Sequence, residues 1–302
     1  MSEVRWERLF PDQLEARFAA CPALYLPYGM CEPHGPGNVL GLDGLKAAGI
    51  CQAAARLGGG IVAPTEWWHV HELGHYAAWG QRSVGEHARR WMTAVPPWHH
   101  FKSVCYHIRA ADQLGFKAVI LLTGHYGPNW KDLQTLVDLI QPHIGARLYG
   151  LPDFEAASPG FDGDGQVADH AGKVETSLLW ALDPGCVDMA RLPPPGATSA
   201  SGHFFAMGAD AAAADPVIGA RILGYQAAYL AARVQDLIAA HDDRPPVPLQ
   251  GRIESFGDVE RFWSDTVVPL IPGFASIEGY LVATDEVEAI PRDSVWRRSS
   301  RD

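Results

Sequence analysis

Short apolar runs, separated by segments with helical spacing, constrain the fold of this chain more than any other feature. The clearest run is KAVILLTG at 117–124, and others lie at 23–29, 59–65 and 146–152. Strands that are apolar on both sides are typical of a parallel sheet whose two faces are covered by helices. The sequence therefore predicts an α/β fold with a mostly parallel central sheet flanked by helices.

The segments between and after these runs show the apolar spacing of helices. They lie at 45–58, 101–116, 130–143, about 171–182 and about 215–241. The proline-rich segment HDDRPPVPLQG then breaks the pattern. We therefore expect a main domain at 1–244 and a C-terminal appendage at 245–302, in which GYLVATDEV has strand character.

The composition is that of an ordinary globular protein and disfavours two classes of partner. Of the 302 residues, 47% are hydrophobic and 20% are charged, and the formal net charge is -11. Nucleic acid is disfavoured because phosphate binding needs a basic face. No apolar run reaches the roughly 18 residues of a membrane-spanning helix, and the charged N-terminus lacks the apolar segment of a signal peptide. With five scattered cysteines and no CxxC pair, a cytoplasmic protein is expected.

Polar side chains gather where the predicted strands end. Glu32 and His34 follow the first strand, TEWWHVHELGH follows the second, and GHYGPNW follows KAVILLT. In parallel α/β sheets, ligands bind at the carboxyl ends of the strands. These residues are therefore expected at one edge of the sheet, where a binding site would form.

The loop CEPHGPGNVLGLD offers three ligands for a metal ion. Glu32 and His34 stand two residues apart, so both project to the same side of an extended segment. Asp43 opens the next helix, where its carboxylate could instead cap free N–H groups. The three together favour a metal site over a polar surface turn. His125, which stands close to two glycines, is predicted as a further ligand, although a single histidine after a strand is more often structural.

The motif DHAGKVETS is expected to start the helix at about 171–182. Asp169 could cap this helix and Glu175 could complement its positive end, which would give both a structural role. His170 is different, because the positive end of a helix disfavours a protonated imidazole. A neutral imidazole is what a general base requires. His170 is therefore predicted to take part in catalysis.

Three blocks resemble the creatininase (creatinine amidohydrolase) family, and they come in the same order as in that family. They are LPYGMCEPHGPGNVLGLD, LLTGHYGPN and HAGKVETSLLWALDPGCV, and they cover roughly residues 23–190. The resemblance implies a three-layer, creatininase-like α/β fold and a divalent metal site with two ions of zinc, manganese or iron. It also implies hydrolysis of the C–N bond of an amide or cyclic amide in a small molecule, by a homo-oligomer that could be a hexamer.

The resemblance also implies a set of metal ligands, which are Glu32, His34, Asp43, His125 and Glu175. Asp43 would be the bridging carboxylate, His170 the acid and base, and Glu175 would help to complete the catalytic site. The chain departs from true creatininases at Gly127. The corresponding motif of true creatininases resembles GHYEN, in which a metal-binding glutamate stands two residues after the histidine. A second ion is therefore not expected to be bound as in those enzymes.

Aromatic side chains are dense near the predicted site. Those predicted to wall a substrate pocket are Trp67, Trp68, Tyr126 and Trp130. Core packing is the alternative for some of these, and Tyr76 and Trp79 belong to the same group. The neighbouring polar residues are His69, His71, Glu72 and His75. They could add ligands, but a role as substrate contacts or bystanders is favoured.

These features predict a metal-dependent hydrolase in which metal-activated water attacks the substrate and His170 passes a proton to the leaving nitrogen. Two alternatives stay open. One keeps the fold and the metal but cleaves a lactone, a C–C bond or a cyclic sugar ketone. The other is a non-catalytic binding protein, which would hold no stoichiometric transition metal.

Overall fold

The structure, a computed structural model, describes residues 2–71, 91–127, 129–157, 167–194, 206–248 and 250–276. The predicted strand segment GYLVATDEV lies outside these residues, as do Glu72, His75, Tyr76 and Trp79. What the sequence predicts for them stays a prediction.

A four-stranded parallel sheet lies at the centre of the described fold. Its strands are β1 (Ala23–Tyr28), β2 (Ile61–Val62), β5 (Ala118–Thr123) and β6 (Arg147–Pro152). They are ordered β2-β1-β5-β6, and a separate parallel pair consists of β3 (His69–Val70) and β4 (Ala94–Val95). The register pairs Tyr28 with Thr123 and Thr123 with Pro152, so three neighbouring strands end at the same edge. The predicted parallel sheet is confirmed.

Helices connect and cover the strands. They are α1 (Pro11–Ala20), α2 (Leu42–Gly58), α3 (Pro97–Gln113), α4 (Asn129–Ile140), α5 (Asp153–Ala157), α6 (Lys173–Leu182), α7 (Pro216–Asp242) and α8 (Phe256–Phe262). The third begins at Pro97 rather than at residue 101, because proline is well suited to the first turn of a helix. Among the described residues, none of the helices has the length and apolar character needed to cross a membrane.

Alternate residues of β5 face two different cores, which gives the fold its three layers. Val119 and Leu121 pack in a cluster with residues of α3, α4 and α8. Ile120 and Leu122 pack in a second cluster with residues of α2, α6 and α7. Successive side chains of a strand point to opposite faces, so a strand that is apolar throughout serves both layers.

Part of the predicted appendage packs against the first of these cores. After α7 ends at Asp242, the buried side chains of Val259, Phe262 and Trp263 join the cluster that contains Phe101 of α3. The backbone N–H of Ile253 also donates to the carbonyl of His143, at 3.0 Å. The described part of the appendage therefore shares a core with the rest of the chain, and the domain boundary at residue 244 stays a prediction.

Gly124 lies where the end of β5 passes close to the first turn of α2. A Cβ atom added there would stand 2.3 Å from the carbonyl oxygen of Asp43. We expect Gly124→Ala to lower the free energy of unfolding by about 1–3 kcal/mol, because the backbone would have to move apart. Urea unfolding measures this, with Gly224→Ala as the control because nothing lies within 4 Å of a Cβ at that position. Equal stability of Gly124→Ala and the parent would contradict the close crossing.

Candidate metal centre

The predicted metal ligands lie together at the carboxyl edge of the sheet. Glu32 and His34 are in the loop after β1, and Asp43 is in the first turn of α2. His125 follows β5, and Glu175 is in the first turn of α6. None of the five residues is more than 7% exposed. Because buried charges are costly without partners, such a cluster needs compensating charge.

Glu32, Asp43 and His125 form a first ligand group, in which one atom from each lies within 4.8 Å of the others. Nδ1 of His125 is 2.9 Å from Oε1 of Glu32 and 3.2 Å from Oδ2 of Asp43. Oε2 of Glu32 and Nε2 of His125 are buried without a hydrogen-bond partner among the described residues. Buried polar atoms rarely lack a partner in native structures, and a bound ion or water usually provides one.

His34, Asp43 and Glu175 form a second ligand group beside the first. Nε2 of His34 is 3.1 Å from Oδ1 of Asp43 and 3.8 Å from Oε2 of Glu175. The other ring nitrogen, Nδ1, donates to the backbone carbonyl of Glu32 at 3.0 Å, which directs Nε2 towards the carboxylates. Asp43 offers one oxygen to each group, so its carboxylate has the position of a bridging ligand.

The charges of these residues depend on each other. Burial opposes the ionisation of Glu32, but His125 outweighs it, so the pKa of the Glu32 carboxyl falls well below its usual range. Burial likewise opposes the protonation of His34, but Asp43 outweighs it and raises the pKa of this imidazole to about 9. The carboxylates thus favour positive charge between them, and a divalent cation would supply it.

Lys46 is a member of this cluster that the sequence analysis did not identify. It is fully buried in α2, and Nζ donates to Oε1 of Glu175 at 2.6 Å and to the hydroxyl of Tyr126 at 2.9 Å. Nζ is also 3.4 Å from Oδ2 of Asp153. Burial opposes the ionisation of Glu175, but Lys46 outweighs it and lowers the pKa of the carboxyl to about 2. The spacing from Asp43 was the available signal, because residues three apart share one face of a helix.

His170 stands beside the ligand groups in the turn before α6. Its Nε2 donates to the carbonyl of Pro33 at 3.0 Å, and its ring stacks on that of His34 with centroids 4.6 Å apart. Burial, and then His34, lower the pKa of His170, which favours the neutral imidazole. A ring nitrogen also lies within 4.8 Å of ligand atoms of Glu32 and His34, so the geometry permits metal ligation too.

The carboxylate of Asp169 has the capping role considered for it. It accepts the backbone N–H of Val174 at 2.6 Å and that of Glu175 at 3.0 Å. These N–H groups belong to the first turn of α6, where no helical carbonyl is available to them. Asp169 therefore fixes the start of the helix that carries Glu175.

A cavity of about 400 Å³ opens onto the cluster. Its lining includes Glu32, Asp43, His125, Glu175 and His170, together with Tyr126, Phe154 and His71. Tyr126 and Phe154 meet edge to face with ring centroids 5.2 Å apart. The cavity therefore has an acidic and imidazole floor and an aromatic wall, which suits a small polar molecule with a flat group.

The other aromatic residues predicted to bind substrate lie farther from the cluster. Trp130 packs edge to face on Phe154, at a centroid distance of 5.9 Å, and so supports the aromatic wall from behind. Within the described residues, neither Trp67 nor Trp68 lines this cavity. The ring of Trp67 stands against Gly44 in the first turn of α2, and Trp68 is 55% exposed. Substrate contact by these two tryptophans stays a prediction.

Two of the additional histidines differ in their distance from the cluster. Nε2 of His71 is 3.5 Å from Oε2 of Glu32, and His71 lines the cavity. His69 lies behind His125 and packs against His100 with centroids 4.0 Å apart. The geometry therefore places His71 where it could contact a ligand and gives His69 packing contacts instead.

A family model described as creatinine amidohydrolase, the creatininase family, matches residues 7–234. The chain belongs to the creatininase family. The matched region contains both ligand groups, His170 and Lys46, whereas the described residues from 250 onwards lie beyond it. No curated protein sequence matches this chain.

Solved creatininase structures are similar to this one over most of its length. A creatinine amidohydrolase structure is 25% identical with a TM-score of 0.60, and the match covers 78% of this chain and 98% of that chain. A structure described as creatininase with Mn is 24% identical with a TM-score of 0.59, and the match again covers 78% of this chain and 98% of that chain. A creatininase variant complexed with creatine is 23% identical with a TM-score of 0.60, and the match covers 78% of this chain and 99% of that chain. The predicted creatininase-like fold is confirmed.

Proposed function

We propose that this protein is a metal-dependent amidohydrolase that cleaves the C–N bond of a small amide or cyclic amide. The observation that carries the proposal is the buried carboxylate of Asp43, shared between two ligand groups beneath a cavity of about 400 Å³. The similar structures described with manganese and with creatine support a divalent ion and a small-molecule substrate. The homo-oligomer and the cytoplasmic location implied above stay predictions.

The residues present fit a divalent ion. Two atoms of the first group and Nε2 of His34 are buried without hydrogen-bond partners among the described residues, as open ligand positions would be. Imidazole and carboxylate donors together suit zinc, manganese and iron. Glu32, Asp43 and His125 would hold the first ion, and His34, Asp43 and Glu175 a second. Bound there, a divalent ion supplies Lewis acidity and lowers the pKa of water.

The remaining residues of the cavity have separate roles in the proposed reaction. His170, neutral and fixed by the carbonyl of Pro33, takes a proton and passes it to the leaving nitrogen. Tyr126 and Phe154 hold a flat substrate group by contact with their rings. Asp169 keeps the first turn of α6, and with it Glu175, in place.

The test of this function is a substrate panel offered to the metal-loaded protein. It contains small amides and cyclic amides, with lactones and cyclic ketones as the competing class, and mass spectrometry follows the products. We expect at least one amide to be hydrolysed. Turnover confined to lactones or ketones would contradict C–N cleavage. A protein that turns over nothing and holds no stoichiometric metal would favour the binding-protein alternative.

We expect His34→Ala to hold less metal than the parent, because the variant loses one of the second group's three donors. Metal content at equilibrium with excess free Mn²⁺, where a weakly held ion is also counted, measures this, with His99→Ala as the control because His99 is exposed. If His34→Ala holds as much metal as the parent, then the assignment of His34 as a ligand is wrong.

We expect creatinine to be a poor substrate. Gly127 stands at the position where the motif of true creatininases has a metal-binding glutamate. Glu175 reaches the cluster from a different element, and one of its oxygens already accepts a hydrogen bond from Lys46. A displacement of about 1 Å at the reacting centre can cost on the order of 10²-fold in rate. The assay compares this protein with a dedicated creatininase at the same creatinine concentration. Comparable turnover would contradict the argument from Gly127.

A further inference from the structure

Lys46 brings a positive charge into a cluster that would otherwise rely on metal and protons. Its ammonium group has three oxygen partners, on Glu175, Tyr126 and Asp153, at 2.6, 2.9 and 3.4 Å. Such a site favours the charged form of a buried lysine, because each partner compensates the lost hydration. Nζ lies over the ring of Tyr126 as well, 4.2 Å from its centroid.

Lys46 acts on the second ligand group through Glu175. Oε1 of Glu175 accepts from Lys46, and Oε2 accepts the backbone N–H of Ala171 at 2.8 Å. Both oxygens of this carboxylate are therefore already engaged by donors. The two donors compensate part of the negative charge of Glu175. Glu175 therefore attracts a cation less strongly than a carboxylate without such donors.

The first ligand group has a different surrounding. The ion pairs of Glu32 among the described residues are with His34, His71 and His125, and these imidazoles can lose their protons to become metal ligands. An ammonium group has no lone pair while it is charged and cannot ligate metal. The two groups therefore differ in how well they accept a divalent cation.

We propose that Lys46 makes the centre unequal, with one divalent ion held tightly by Glu32, Asp43 and His125 and a second held weakly near Glu175. The proposal rests on the proposed function, because it assigns Lys46 a role at the same metal centre. The ammonium of Lys46 provides part of the positive charge that a second tight ion would supply. It also holds Glu175 and Tyr126 in fixed positions, which makes Lys46 a positioning residue.

The expected difference in affinity is large. Repulsion between an ammonium and a divalent ion a few ångströms apart, at the effective dielectric constant of protein sites, weakens binding by about 10²-fold or more. Lys46→Gln removes this charge but keeps an N–H donor for Glu175. Lys46→Arg keeps the charge and is the matched control.

The experiment measures ions bound per chain by equilibrium dialysis against Mn²⁺, followed by elemental analysis, over a range of free Mn²⁺. The full-length parent is expected to bind one ion tightly and a second at least about 10²-fold more weakly. In Lys46→Gln the second ion should bind about 10²-fold more tightly than in the parent, and in Lys46→Arg it should stay weak. Lys46→Met serves as a second neutral variant should the glutamine variant fail to fold.

Two results would overturn the role of Lys46 and leave the proposed function intact. One is a parent protein that binds two ions equally tightly. The other is a neutral variant whose second ion is as weak as in the parent. A parent protein that binds no ion would overturn the proposed metal-dependent function and the role of Lys46 together.

Discussion

Asp43→Asn is expected to lose its bound metal and with it almost all hydrolytic activity. Asp43 belongs to both ligand groups, with one oxygen 3.2 Å from His125 and the other 3.1 Å from His34. An amide oxygen is a weaker ligand and brings no negative charge. Because a bound metal contributes several kcal/mol to catalysis, we expect a loss of at least about 10³-fold in kcat/KM.

Elemental analysis and the rate with whichever amide the parent hydrolyses are the two measurements for this variant. Asp138→Asn is the matched control, since Asp138 is exposed on α4 and lies outside both ligand groups. Circular dichroism shows whether Asp43→Asn keeps its fold. A folded Asp43→Asn protein with the metal content and rate of the parent would remove Asp43 from the centre.

His170→Ala is expected to keep its metal and to lose roughly 10²–10⁴-fold in rate, the usual contribution of general acid–base catalysis. Its Nε2 is committed to the carbonyl of Pro33, which fixes the tautomer and leaves the lone pair on Nδ1. The neutral state also follows from burial and from the neighbouring His34, which lower the pKa of the imidazole. A neutral imidazole with a free lone pair on Nδ1 can accept the proton that it then passes to the leaving nitrogen.

The metal content of the His170→Ala protein separates two roles that the geometry permits. A ring nitrogen of His170 lies close enough to Glu32 and His34 to share an ion with them. Loss of metal together with loss of rate would make His170 a ligand. Full metal with a rate near that of the parent would exclude both roles. Partial rescue of a metal-loaded variant by added imidazole would support proton transfer.

The parallel sheet could be predicted because its strands are apolar on both sides and their spacing fits crossovers through helices. The ends of the elements were harder to place. The run at 59–65 predicts a long strand, yet β2 covers only Ile61–Val62. Gly59 and Gly60 have φ values of 90° and 100°, in the left-handed region, so the extended conformation begins after them.

The proximity of Glu32, His34, Asp43 and His125 could be predicted for a topological reason. Residues that follow neighbouring parallel strands end at one edge of the sheet, whatever their separation in sequence. Lys46 could not be found in this way, because a lysine in an amphipathic helix is ordinarily on its solvated face. Its spacing from Asp43 places both residues on one face of α2, and the approach of Glu175 and Asp153 from other elements shows that this lysine is buried in an ionic cluster.

The predicted pocket wall shows a second limit of sequence reasoning. Adjacent tryptophans after a strand indicate a pocket, but neighbouring residues in an extended segment point in opposite directions. Trp67 packs onto the first turn of α2, and Trp68 faces solvent. The aromatic wall of the described cavity comes from Tyr126, which is one of the four predicted residues, and from Phe154, which is not; they follow β5 and β6.

The metal content of the purified full-length protein is the direct test of a divalent metal centre in this chain. The protein is dialysed against metal-free buffer and analysed for zinc, manganese and iron, beside Asp43→Asn prepared in the same way. We expect at least one divalent ion per chain in the parent and little in the variant. A folded parent protein that holds no stoichiometric metal, and takes up none when zinc, manganese or iron is supplied, would contradict this expectation.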